Sequence, residues 1–182
     1  MTRREILKTA LLFGAQTLIP FPRHILEASQ SKTLYTGEIS LYSEHSAERL
    51  SVQYLNKKTS RLNHKAWQQL NHLFRCHYDN QVHPIHPMLF LLLDLVRCQL
   101  GAKERPYCLV SGYRSPTYNQ ILCCEDSHVA HRSYHLKGMA ADITLEGVAT
   151  KDIVKMAKRL HLGGVGKYPD FVHLDVGPAR TW

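Results

Sequence analysis

The sequence predicts an α+β domain: a small, mainly antiparallel sheet that carries a polar site, with helices packed on its other face. Three observations predict this class. Two short runs, Asp142-Ile143-Thr144-Leu145 and Phe171-Val172-His173-Leu174-Asp175-Val176, alternate with the two-residue period of strands. Elsewhere apolar residues recur at three- and four-residue intervals, as in Leu62, Ala66, Leu70, Leu73 and Phe74, the spacing of an amphipathic helix. No internal repeat or low-complexity tract interrupts the 182 residues, and a segment of about 150 residues suits one core.

The elements follow in chain order. Thr33 to Leu41 and Arg49 to Tyr54 read as an extended hairpin, and Ser60 to Cys76 as the first helix. Pro84 and Pro87 punctuate a loop. Pro87 suits the first turn of a second helix, Met88 to Leu100, whose nearly continuous apolar run marks it as buried. Residues 107–111 read as a strand, and Ser115-Pro116 opens a short helix through Leu122. Cys123 to Arg132 reads as irregular, and its His128 and His131 as loop histidines or as a lid near the site. Thr150 is expected to cap a helix over Lys151 to Leu160. Gly163 to Gly166 reads as tight turning beside a strand, since neither a lysine-serine pair nor a helix follows it, as a phosphate loop requires.

The N-terminus points to export. Thr2-Arg3-Arg4-Glu5-Ile6-Leu7-Lys8 matches the twin-arginine pattern, and the apolar stretch from Thr9 to about Phe21 is too short to span a bilayer. With an imperfect small-residue cleavage site at Leu26-Glu27-Ala28, residues 1–28 are expected to be a signal, removed after Ala28 or retained as an anchor, and 29–182 a single domain with a periplasmic or envelope destination. The net charge is +8; the signal carries four basic and two acidic residues, so the remainder keeps +6. That surplus serves either general solubility or attraction to an anionic partner; export excludes most nucleic-acid roles, so the partner it suggests is murein and anionic envelope polymers. The five cysteines are an odd number, so at least one stays unpaired barring an intermolecular bond, and without C-x-x-C spacing they do not suggest a thiolate metal site. Nothing in the sequence bears on oligomeric state.

His135 and Asp142, separated by small residues, and His173 in the later strand offer two imidazoles and a carboxylate. Three such ligands suit zinc and leave its fourth position open for a water. Asp175 shares a strand face with His173 and fits either a general base or a group that orients the ligand. Arg114 leaves a strand end in Ser111-Gly112-Tyr113-Arg114-Ser115, where a fixed cation could stabilise an oxyanion or hold a substrate carboxylate.

With those residues in view, the pattern S-x-H-x-x-G-x-A-x-D with a later histidine resembles the zinc peptidases of the D-Ala-D-Ala carboxypeptidase group, which includes lysostaphin-like, VanX-like and hedgehog-like members. The Ser-Gly-Tyr-Arg-Ser stretch and the ending from Gly163 to Trp182 look specifically like the MepK-like (YcbK-like) murein endopeptidases, over a span from about Leu34 to Trp182. The resemblance implies Zn(II) on His135, Asp142 and His173, with peptide cross-links of peptidoglycan as substrate. It adds Asp170, three residues before the last histidine, as a second candidate base ranked below Asp175, and it places Arg114, Ser115 and Tyr134 at the substrate. It leaves open a murein D,D- or L,D-carboxypeptidase, and a hedgehog-like module that keeps zinc without turnover.

Overall fold

The computed structural model describes residues 34–182 apart from Lys57 and His128. The export signal, the first residue of the hairpin and the His128 reading therefore lie outside the described residues. Strands β1 (Glu38–Ser43) and β2 (Arg49–Gln53) form the expected hairpin, followed by a two-residue ribbon of β3 (Leu55–Asn56) and β4 (Arg61–Leu62). Then come α1 (His64–Leu73), α2 (Pro87–Gln99), β5 (Tyr107–Ser111), α3 (Pro116–Glu125), a 3-10 turn (Tyr134–Lys137), β6 (Ala140–Leu145), α4 (Thr150–Leu160), β7 (Gly164–Lys167), β8 (Val172–Asp175) and β9 (Arg180–Thr181).

Seven strands make the main sheet in the order β2-β1-β5-β6-β8-β7-β9; the β1–β5 and β7–β9 pairs are parallel and the other four antiparallel. Helix α2 packs against β1, β6 and α4, and α4 against β6, β7 and β8. Ile143, Leu145, Val172 and Leu174 meet Leu89, Leu93, Val96, Ile153 and Ala157 in one apolar core. Burying each such side chain is worth about 1.5–3 kcal/mol, which fixes the register of β6 and β8 and turns their alternate residues to the opposite face.

Several boundaries differ from the sequence reading. Helix α1 begins at His64 because Asn63 caps it, its side chain accepting a bond from the Ala66 N–H at 3.2 Å, while residues 61–62 pair with β3. Helix α3 runs through Cys123 and Cys124 to Glu125; Asn119 donates to the Ala130 carbonyl and Cys123 to the Val129 carbonyl, folding the next loop back on the helix. Thr150 is the first residue of α4 and supplies no side-chain cap. The glycine-rich stretch is itself strand β7, buried over Gly164 to Gly166.

Helix α2 also hides what its apolar run conceals. Asp94, fully buried, accepts bonds from the backbone N–H groups of Thr36 and Gly37, the Thr36 hydroxyl and the Tyr54 hydroxyl, all within 3.1 Å. Arg97 beside it donates to the Glu38 carbonyl at 2.8 Å. This network ties the segment before β1 to the core. All five cysteines are free; Cys98 donates to Asp94, and its thiol is pushed up to about 12, chiefly by burial, so it is unreactive. Among the described residues no helix is long and apolar enough to cross a membrane.

Candidate metal centre

Three adjacent strands assemble the site. Ser111 on β5 pairs with Asp142 on β6, and Asp142 pairs with His173 on β8, so their side chains rise together from the face away from α2 and α4. His135 arrives on the 3-10 turn, which Ser133 opens by accepting the His135 N–H and Gly138 closes at φ 61°. Gly138 also packs where a Cβ would come 2.5 Å from the Pro84 carbonyl oxygen, so both its conformation and its neighbour require glycine.

The ligand atoms converge. His135 Nε2 lies 3.2 Å from Asp142 Oδ1 and 3.2 Å from His173 Nδ1, and His173 Nδ1 lies 2.8 Å from Asp142 Oδ1. Ligands held about 2.0–2.1 Å from a tetrahedral zinc stand about 3.3 Å apart, close to this triangle. The outer ring nitrogens are engaged as well. His135 Nδ1 meets the Gly112 carbonyl at 2.6 Å and His173 Nε2 meets Asp175 Oδ2 at 3.0 Å. Those acceptors place the ring hydrogens outward, so in the neutral rings both inner nitrogens present lone pairs to one point. Two imidazole lone pairs and a carboxylate oxygen aimed together, all three residues buried, fit a divalent cation of the zinc type.

The electrostatics agree. Burial would raise the Asp142 carboxyl, but the imidazoles of His135 and His173 outweigh it and hold it well below the usual range. Burial lowers His135, whereas Asp142 and Asp175 overcome burial at His173 and raise it. Arg114 holds the outer oxygen of Asp142, Nη2 to Oδ2 at 2.5 Å, while its Nε donates to the Ser111 hydroxyl.

The two candidate bases occupy different places. Asp175 is fully buried, and all its donors come from the protein: the N–H groups of Gly164 and Gly177 and Arg180 Nη1 on Oδ1, His173 Nε2 and Arg180 Nη2 on Oδ2. Burial is again outweighed, here by His173 and Arg180, so its carboxyl stays below the usual range. Asp170 is exposed and does not line the cleft over the ligands. Ser115, expected at the substrate, is fully buried; its hydroxyl caps α3 by accepting the Tyr118 N–H and takes the Cys76 thiol, so its place in the fold is structural. Tyr134 does line the cleft, as does Arg114; His131 does not.

That cleft, about 750 Å³, opens over His135, Asp142 and His173. One bank carries Tyr118 and the stacked rings of His45 and His77, 3.7 Å apart; the other carries Tyr168, Phe171 and Trp182. Burial, His45 and Arg114 all hold His77 below its ordinary value. Among the described residues neither imidazole of the His45–His77 pair makes a hydrogen bond. Sequence reading missed this pair and Arg180: they lie outside the ligand motifs, and only the folded sheet brings β1, the end of α1 and β9 around one cleft.

Residues 31–182 match the profile of the family described as Peptidoglycan L,D-endopeptidase MepK. The chain belongs to that family. It is 34% identical over 182 residues to the peptidoglycan L,D-endopeptidase MepK of Escherichia coli strain K12, covering 99% of this chain and 96% of that one. The probable peptidoglycan L,D-endopeptidase MepK of Haemophilus influenzae is 38% identical over 116 residues, 63% of this chain and 62% of that one. Among solved structures, the Serratia marcescens L-Ala D-Glu endopeptidase ChiX aligns over 42% of this chain and 62% of its own at 24% identity and a TM-score of 0.33. Membership of the MepK family makes the chain a peptidase of the peptidoglycan class, in accord with the expectation from its motifs.

Proposed function

We propose that the chain is a zinc-dependent murein endopeptidase, hydrolysing peptide cross-links of peptidoglycan in the cell envelope after export by the twin-arginine signal. The observation that carries the zinc reading is the convergence of His135 Nε2, Asp142 Oδ1 and His173 Nδ1, with both outer ring nitrogens already committed to acceptors. Zinc bound there would acidify a water toward neutrality and polarise the scissile carbonyl.

The chain's own groups divide the remaining work. Asp175 steadies His173 instead of taking a proton, because every donor around it is a protein group and none of its surface reaches solvent. Arg114 fixes the Asp142 carboxylate and keeps its guanidinium at the cleft, where it can meet negative charge on the substrate. His45 and His77 line the cleft as a stacked pair, and we assign proton transfer to this pair rather than to Asp170. The endopeptidase mode follows the MepK family to which the chain belongs.

The test is metal content by elemental analysis beside activity for His173→Ala and His135→Ala. Each variant is expected to lose both the bound zinc and hydrolysis of purified murein. A His173→Ala protein that keeps stoichiometric zinc and full activity contradicts the assignment.

A further inference from the structure

We propose that Arg180 and Trp182 are positioning residues that latch Asp175 and His173 so that Nδ1, and not Nε2, of His173 faces the metal. The inference rests on the metal-site reading above and extends it to a segment that carries no ligand.

The latch begins in the backbone. Strand β9 adds to the edge of the sheet beside β7, pairing Gly164 with Arg180 and Val165 with Thr181. The Trp182 N–H donates to the Val165 carbonyl and the Trp182 carbonyl accepts from Lys167, both at 3.2 Å. From this edge the Arg180 guanidinium reaches back to Asp175 as a fork, Nη1 to Oδ1 at 3.0 Å and Nη2 to Oδ2 at 2.7 Å. Its flat faces lie 4.7 Å from the Tyr134 ring and 4.9 Å from the Trp182 ring, which fixes its plane.

Asp175 then has one task left. Oδ1 is taken by Arg180 and the N–H groups of Gly164 and Gly177, and the fork orients Oδ2 toward His173 Nε2 at 3.0 Å. With both oxygens held by the Arg180 fork, Oδ2 serves His173 as an acceptor, so the ring hydrogen resides on Nε2 and the Nδ1 lone pair is left for the metal. Trp182 limits the other freedom. Its indole sits 5.2 Å from the His173 ring, anchored by its Nε1 donating to the Tyr168 hydroxyl at 3.2 Å. The indole lies so close to Gly166 that a Cβ there would approach its ring atoms to 2.6 Å. At Gly164 a Cβ would meet Asp175 Oδ2 at 2.4 Å and Arg180 Nη1 at 2.5 Å. Two glycines of β7 thus give room to the two side chains of the latch. A latch built only to hold β9 in the sheet would not need its charged fork on the carboxylate that orients His173.

The test uses the whole chain with Arg180→Met, Arg180→Lys and Trp182→Phe, reading zinc affinity by competition with a chromophoric chelator and His173 ring-nitrogen chemical shifts by long-range ¹⁵N correlation. Arg180→Met is expected to bind zinc about 10–100-fold more weakly and to lose the single Nε2–H pattern of His173. Arg180→Lys keeps the charge without the fork and is expected to fall between. Trp182→Phe is expected to broaden the His173 signals with a smaller loss of affinity. If Arg180→Met fails to fold, Arg180→Lys decides: weakened zinc and altered nitrogen shifts support the latch. Wild-type zinc affinity and nitrogen shifts in the folded arginine variants overturn it while leaving the metal centre standing. A wild-type protein that takes up no zinc overturns both readings.

Discussion

Asp170 and Asp175 carry the same carboxyl five residues apart, and the fold gives them opposite surroundings. Asp170 stands exposed beyond the cleft, while Asp175 is sealed under β7 and β9 with its oxygens shared among Arg180, two backbone N–H groups and His173. Asp175→Asn is therefore expected to weaken zinc about 10–100-fold, with excess zinc restoring much of the turnover, and Asp170→Asn to leave both unchanged. Kinetics across a zinc titration measure this; an Asp175→Asn protein with wild-type zinc affinity and abolished turnover would instead make Asp175 a base. A separate outcome follows for the opposite bank. His77→Ala is expected to lower kcat by about 10²–10⁴-fold without changing zinc affinity, and an unchanged kcat contradicts the proton role. The three residues that converge, His135, Asp142 and His173, were legible because imidazole and carboxylate at this spacing are chemically unusual. Whether a neighbouring acid is free or committed was not, because that depends on Arg180 arriving from a different strand.

At the scale of elements, apolar alternation gave β6 and β8 with the faces the structure shows, the first helix was visible from its period, and the second from its apolar run after Pro87. What stayed hidden were short elements without a period. Strand β7 is four residues with two glycines, and β9 is two residues; β7 exists because the edge of β8 offers it a partner and β9 because β7 does in turn, which local sequence does not encode. Helix α2 shows the converse limit. Its apolar run foretold burial but not that Asp94 and Arg97 would be buried with it. Removing the Asp94 carboxylate leaves the Thr36 and Gly37 N–H groups and the Tyr54 hydroxyl short of an acceptor and takes from buried Arg97 the counter-charge 3.8 Å away. Asp94→Ala is thus expected to cost about 3–5 kcal/mol in urea unfolding, with zinc affinity preserved in the folded fraction. A loss well under that range would mean that the network contributes little.

For the whole molecule, the site's histidines link metal, folding and pH. His135 is held below its ordinary value of 6.5 by burial, so the unfolded chain binds a proton that the folded chain excludes. Its contribution is present above that value and is lost as pH falls. His173 runs the other way: burial opposes, but Asp142 and Asp175 raise it, so its contribution is complete below 6.5 and is lost as pH rises through the raised value. On the proposed zinc reading both rings must be neutral to bind, so the metal would compete with protons at both, and a zinc-induced rise in melting temperature is expected to be larger near pH 7.5 than near pH 5.5. Equal rises at the two pH values, followed by differential scanning fluorimetry, would contradict the imidazole ligands.

The most direct measurement of the central claim is digestion of cross-linked murein sacculi by the purified protein, with products identified by mass, in metal-free form, after zinc is restored, and with His173→Ala. The expected result is release of cross-linked peptides as their separated halves by the zinc-restored protein alone. Muropeptides left intact by zinc-loaded wild-type protein, or cleaved equally by the metal-free form, would contradict the account.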